Sequence, residues 1–366
     1  MILKVNDQFE IEDTDEDVSD IIYDIMSYPS DLTLQVVINM FENKDLIIPD
    51  YQRSYVWTIK QASLLIDSFL RGLPVPSIFL FEQEDNKSLI IDGQQRILSI
   101  YYYFKGYFGG EDRNGKQKIF KLTGLAPEVP WANKTFDELP QELQRKLSNQ
   151  TILRAINVRQ NAPTIKDGGR SSAFAIFERL NTSGTPLSAQ EVRNAVYAGP
   201  FNTLLKSLNH NKDWRKLYST TQEDKHQKDV ELLLRVFALY SNLEKYEKPL
   251  KKFLNSIMDK YAKGDDDMVG EFEELFPKVC ADVVEYIGAE HGSPFKLRGP
   301  LSATTLDCVL AVMIKSYGHY NKEKLAQQWM ALKADPEFEK ATTDATTDRV
   351  NVLKRCNLVE QYFVED

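Results

Sequence analysis

The chain is poor in cysteine, histidine and positive charge, and it has no long apolar run. Its three cysteines, Cys280, Cys308 and Cys356, lie far apart in 366 residues. An odd, sparse set of this kind argues against a disulfide framework or a zinc cluster and fits reduced thiols buried as small hydrophobes. The four histidines, His210, His226, His291 and His319, show neither the His-x-x-x-His nor the His-x-Glu spacing that puts ligands on one face. No Gly-x-x-x-x-Gly-Lys-Ser/Thr run is present to form a Walker loop, and no Gly-x-Ser-x-Gly elbow. No stretch approaches the length needed to cross a bilayer, and the N-terminus turns acidic too soon for a secretory signal. A cytoplasmic protein with no membrane association is therefore expected. With 54 acidic against 45 basic residues, a net charge of -9 argues against a chain that coats nucleic acid by bulk electrostatics. A local basic groove remains compatible with it.

Much of the acidity is concentrated in Glu10, Glu12, Asp13, Asp15, Glu16, Asp17, Asp20 and Asp24. Residues 1–30 therefore read as an acidic arm, either solvated or competing with phosphate for a basic site. Beyond it, Leu34 to Phe41 reads as a short helix. Thr58 and Gln61 have capping-box spacing ahead of a helix with Ala62, Leu65, Ile66 and Phe69 on one face, and Gly72 ends it. Ile78 to Phe81 and the segment at Leu89 read as strands, and Asn114-Gly115 as a hairpin turn leading into Ile119 to Leu122. Thr135 and Glu138 repeat the capping-box spacing before a short helix from Gln141. Ile152 to Val158 is a further strand, and Gln160 to Arg170 a loop. From Ser171 helical periodicity takes over, with Phe174, Phe177 and Leu180 on one face and Ser188 with Glu191 capping the next helix. The expected architecture is α+β, with an α/β domain over 31–170 and an all-α domain over 171–366.

The densest chemistry lies at Asp92-Gly93-Gln94-Gln95-Arg96, between the Leu89-Ile90-Ile91 strand and a helix bearing Ile97, Ile100, Tyr101 and Phe104. At such a junction the first N–H groups of the helix and its dipole favour an anion, a glycine lets the backbone approach a ligand, and an arginine can grip phosphate bidentately. The same residues also read as a tight turn in which Asp92 caps the helix or pairs with Arg96. Three further arginine-bearing motifs could share the site: Gln52-Arg53, Arg179-Leu180-Asn181, and Arg193-Asn194. Tyr51, Tyr55 and Trp57 around Arg53 offer faces for base stacking, or a hydrophobic staple for the helix that follows. Asp92 is the one carboxylate beside the phosphate site, suited to holding Mg²⁺ or orienting a water.

Three strings resemble the GmrSD-type restriction endonuclease N-terminal domain family. They are Ile48-Pro49-Asp50-Tyr51-Gln52-Arg53-Ser54-Tyr55-Val56-Trp57, then Asp92 to Arg96, then Phe177-Glu178-Arg179-Leu180-Asn181-Thr182-Ser183-Gly184-Thr185-Pro186-Leu187. The similarity covers most of residues 30–240. It implies a ParB/sulfiredoxin-like α/β domain joined to helices, and nucleotide binding and hydrolysis in defence against modified phage DNA; SspE-related proteins, which respond to DNA phosphorothioation, are of the same class. Carried onto this chain, the resemblance implies phosphate contacts at Gly93, Gln95 and Arg96, with Asp92 and Arg96 as the catalytic pair and Asp92 as metal ligand. Gln52, Arg53, Tyr55, Gln94, Arg179 and Asn181 complete the nucleotide pocket. Full-length relatives add a C-terminal HNH nuclease, whereas no histidine follows His319 here. That nuclease chemistry is not expected of this chain.

The expectation is a regulatory or sensor protein of a restriction or phage-defence system that binds a nucleoside triphosphate with Mg²⁺ and hydrolyses it. Its expected partners are modified DNA and a separately encoded nuclease or effector, with oligomerisation possible. A DNA-binding adaptor without turnover, or an interaction scaffold whose motifs persist as fold determinants, are the alternatives.

Overall fold

The computed structural model describes residues 25–48, 55–83, 86–109, 117–160, 174, 176–177, 188–288, 293–296 and 300–364. They divide into a unit built on a β-sheet, over 22–164 with 172–186, and a helical unit whose described residues begin at 188. The architecture is thus mixed α/β in the N-terminal region and helical beyond it, as α+β requires.

The sheet unit comprises β1 (Ile25–Thr33), α1 (Leu34–Glu42), β2 (Leu46–Ile47), α2 (Ile59–Arg71), β3 (Ile78–Glu82), β4 (Ser88–Asp92), α3 (Gln94–Lys105), β5 (Tyr107–Phe108), β6 (Lys118–Ile119), α4 (Gln141–Arg145) and β7 (Ile152–Gln160). Five strands form one mixed sheet in the order β1-β7-β3-β4-β2, and β5 and β6 form a separate antiparallel pair. β7 pairs antiparallel with β1 and parallel with β3, and β4 pairs antiparallel with β3 and parallel with β2. Leu153 and Ala155 of β7, Ile78 and Leu80 of β3 and Ile90 of β4 point to one face. There they meet Ala62, Ile66 and Phe69 of α2 and Ile97, Ile100 and Tyr103 of α3 in a single core.

Local signals explain most of these elements. Thr58 and Gln61 form the capping box at the start of α2, and Gly72 ends that helix in the left-handed conformation at φ 72°. Thr33 caps α1 through its hydroxyl. Thr135 and Glu138 make the reciprocal box hydrogen bonds as well, but they close a turn, because the helix that follows starts only at Gln141. β6 stops at Ile119, so the strand expected to run to Leu122 is shorter. The Asn114-Gly115 turn and the 161–170 loop lie outside the described residues.

Two boundaries differ from the expected ones. β1 begins at Ile25, inside the stretch read as an acidic arm, and pairs along its whole length with β7. Pro29 obscures it: proline is tolerated in a strand at a sheet edge, and β1 is the edge strand. The 172–186 stretch, read as the start of the helical domain, clusters with the sheet unit, and its described phenylalanines Phe174 and Phe177 are helical and buried.

In the helical unit, Ser188 and Glu191 cap Ala189–Val196 with the expected box. Helix Lys228–Asn242 is buried around nearly its whole circumference, its charged Asp229 and Arg235 included, which identifies it as the centre of the unit. Helix Ala303–Lys315 has the same character. Cys280, Cys308 and Cys356 are free and buried, and burial pushes their thiols up, Cys356 to about 12. Among the described residues no helix is long and apolar enough to cross a membrane.

Candidate anion site at the β4–α3 junction

β4 is apolar on both faces, with Leu89, Ile90 and Ile91 all buried, and it ends at Asp92. The β3–β4 register shifts between the Phe79–Asp92 and Leu80–Ile90 pairs, so a bulge falls at Ile91, immediately before the motif. Gly93 then turns the chain at φ 105° and serves as N-cap of α3 without a side chain to cap it. A Cβ at Gly93 would lie 2.3 Å from Ile78 Cγ2 and 2.8 Å from Ile78 Cβ. Both its φ and its closeness to β3 therefore require glycine. Gly93 itself supplies no side-chain cap to this twelve-residue helix.

Arg96 lies on that first turn, and its side chain is only 12% exposed. Its guanidinium pairs with Asp92 and donates through Nη1 to the carbonyls of Pro76, at 2.6 Å, and Ser77, at 3.2 Å. One side chain thus joins the end of β4, the turn before β3 and the start of α3. Asp92 meets Arg96 through Oδ2 and stays 32% exposed. The ion pair joins the last residue of β4 to the first turn of α3.

Gln95 connects the first two motifs. Its Oε1 accepts hydrogen bonds from the backbone N–H groups of Val56, at 2.9 Å, and Trp57, at 3.2 Å. One helical turn on, Ser99 Oγ lies 2.8 Å from the Tyr55 hydroxyl and donates to the Gln95 carbonyl at 2.6 Å. The Tyr55 ring packs edge-on against Tyr102 and Phe108, with centroids 5.0 and 5.5 Å away, and burial pushes its hydroxyl up to about 12. Trp57 is partly buried and packs against the core at the entry to α2.

The expected site is therefore assembled in part. Asp92, Gly93, Gln94, Gln95, Arg96 and Tyr55 converge on one corner of the sheet unit; Gln52, Arg53, Arg179 and Asn181 lie outside the described residues. Arg193-Asn194 belongs to the other unit. It sits in the helical unit, where Arg193 is 1% exposed and donates to Glu231 at 3.0 Å, Gln190 at 3.2 Å and Asn255 at 2.9 Å. Asn194 is bonded to Gln190 and Gln227. The arginine answers a buried carboxylate, which explains why a capped helix carries it there. Ser99 and the carbonyls of Pro76 and Ser77 belong to the corner although neither stood out in the sequence. The four-residue spacing from Gln95 to Ser99, which puts both on one helix face, is the signal for the first; backbone carbonyls leave none.

Asp92 is the only expected metal ligand, and no group of three or more His, Cys, Asp or Glu gathers among the described residues. Mg²⁺ is commonly held by one or two carboxylates together with substrate phosphates. Asp92 meets Arg96 through Oδ2 and contributes a single carboxylate here.

Residues 36–198 match the family model described as GmrSD restriction endonuclease, N-terminal domain. The match contains the whole β4–α3 corner and reaches into helix Ala189–Val196. No curated protein matches the chain.

Proposed function

We propose that the chain, whose residues 36–198 match the model of the GmrSD restriction endonuclease N-terminal domain, is a nucleotide-binding regulatory component of a restriction or phage-defence system. The phosphates of an NTP carried with Mg²⁺ meet the first-turn amides of α3, and Arg96 and Asp92 stand at the edge of that site. The observation that supports this reading is the start of α3 at a glycine turn, with the Arg96 guanidinium on its first turn and the Asp92 carboxylate beside it at the end of β4. In this proposal Asp92 orients the attacking water or completes the ion's shell, and Arg96 bears on the charge of the transferred phosphoryl group. Gln52, Arg53, Arg179 and Asn181 complete the pocket, the ParB/sulfiredoxin-like description applies to the sheet unit, and the effector that cuts DNA is a separate chain.

A second reading is favoured by a specific observation. Arg96 is held by Asp92 and two carbonyls, and Gln95 by two backbone N–H groups, so the motif also works as an internal clasp. An interaction scaffold that kept the motif only for its fold would show the same contacts. Thermal unfolding measured with each of the four NTPs and Mg²⁺, together with phosphate release, separates the two, since a ligand that binds only the folded state raises apparent stability. The nucleotide reading expects a concentration-dependent rise with at least one NTP. No rise with any of them leaves the scaffold.

A further inference from the structure

We infer that the Gln95 side chain is a positioning residue that holds the Tyr55–Trp57 segment against the first turn of α3. The inference rests on the proposed nucleotide site only for its functional meaning, because the contacts that carry it lie within the chain. Both partners of the Gln95 amide are N–H donors, so its oxygen must face Val56 and Trp57, and the amide orientation is fixed by the network. The oxygen is therefore committed as an acceptor. A phosphate offers only acceptors, and the oxygen of Gln95 has nothing to give it.

The same helix face carries a second tie to the same segment. Ser99, one turn beyond Gln95, meets the Tyr55 hydroxyl, and the Tyr55 ring lies against Tyr102, a further turn within reach along α3. Three consecutive residues, Tyr55, Val56 and Trp57, are thus fastened to one helix by a hydroxyl, two amides and a ring contact. The segment has no strand partner to hold it, since residues 55–58 lie between β2 and α2 without regular structure. Its hydrogen bonds tie it to α3, and it is the C-terminal end of the motif that also contains Gln52 and Arg53. Any ligand that settles on the first turn of α3 bears on the residue that places this segment.

Two substitutions separate acceptor from phosphate ligand. Gln95→Glu keeps an oxygen for both N–H groups, favours the helix N-terminus and removes the amide donor; Gln95→Ala removes both functions. Amide hydrogen exchange resolved to single residues reads the outcome without any nucleotide. In Gln95→Ala, protection at Val56 and Trp57 is expected to fall about tenfold or more, the equivalent of one ordinary hydrogen bond, with Leu80 and Ile90 in the sheet unchanged. In Gln95→Glu, protection at Val56 and Trp57 is expected to stay at the wild-type level. Wild-type protection at both amides in Gln95→Ala would overturn the inference, as would a loss in Gln95→Glu equal to that in Gln95→Ala. Titration of wild type with Mg²⁺ and ATP or GTP belongs to the same experiment. If neither binds, the nucleotide reading fails while the exchange result still decides the role of Gln95.

Discussion

Arg96 and Arg193 carry the same side chain on the first or second turn of a short helix, yet the two units put them to opposite uses. In the sheet unit, Arg96 is paired with a partly exposed Asp92 at the start of α3. In the helical unit, Arg193 is sealed in with Glu231 and Arg235, and Arg215 with Asp229 and Asn209. The lesson is physical. A buried arginine is fixed by the carboxylate it neutralises, whereas Arg96 pairs with a carboxylate that still reaches solvent.

The comparison breaks most visibly in the helical unit. Glu231→Ala leaves two arginines buried beside each other without their shared carboxylate, and about 3–5 kcal/mol of stability is expected to be lost, read by chemical denaturation. A loss below about 1 kcal/mol would mean that this network is solvated and no different in kind from the Arg96–Asp92 pair. At the corner, Gly93→Ala forces a side chain onto Ile78 at a positive φ, and a cost of about 1–3 kcal/mol is expected as a lowered Tm.

Arg96→Ala sharpens the comparison from the ligand side. Removal of a charge-assisted contact should weaken NTP binding by about 1.5–3 kcal/mol in calorimetry, and unchanged affinity would assign Arg96 wholly to the clasp. The gentlest test is pH. Burial alone would raise the Glu231 carboxyl, but Arg235 and Arg193 override it and hold it below the usual range. Burial instead keeps Asp307 above that range, with Arg355 offsetting only part. The depressed Glu231 contributes stability that is present above its unfolded pKa and is lost as pH falls through the lower folded value. The raised Asp307 works the other way, costing stability at neutral pH and returning it as acid protonates the carboxyl. Stability is therefore expected to rise on mild acidification before it falls, and Asp307→Asn should abolish the rise.

Much of this arrangement is legible along the sequence, because it depends on short spacings. The Thr58–Gln61 and Ser188–Glu191 boxes, the Gly72 stop and the strand-to-helix change at Asp92–Arg96 are each decided within a few residues. What escaped the reading depends on distant partners. β1 is a strand because β7 lies beside it, with Ile25 opposite Gln160, and nothing between Ile25 and Thr33 announces that pairing. Phe174 and Phe177 show helical periodicity, which says nothing about which unit buries them. The use of Arg193 is equally silent, since Glu231 is a remote neighbour in sequence and a close one in space.

The central claim is that the amides opening α3 hold a polyphosphate. Its most direct test is a titration of the isotope-labelled protein with an NTP and Mg²⁺, followed through the backbone amide resonances of Gly93, Gln94, Gln95 and Arg96. Saturable shifts concentrated on these four residues are the result expected. Binding that leaves them unmoved while resonances elsewhere shift, or no binding at all, would contradict it.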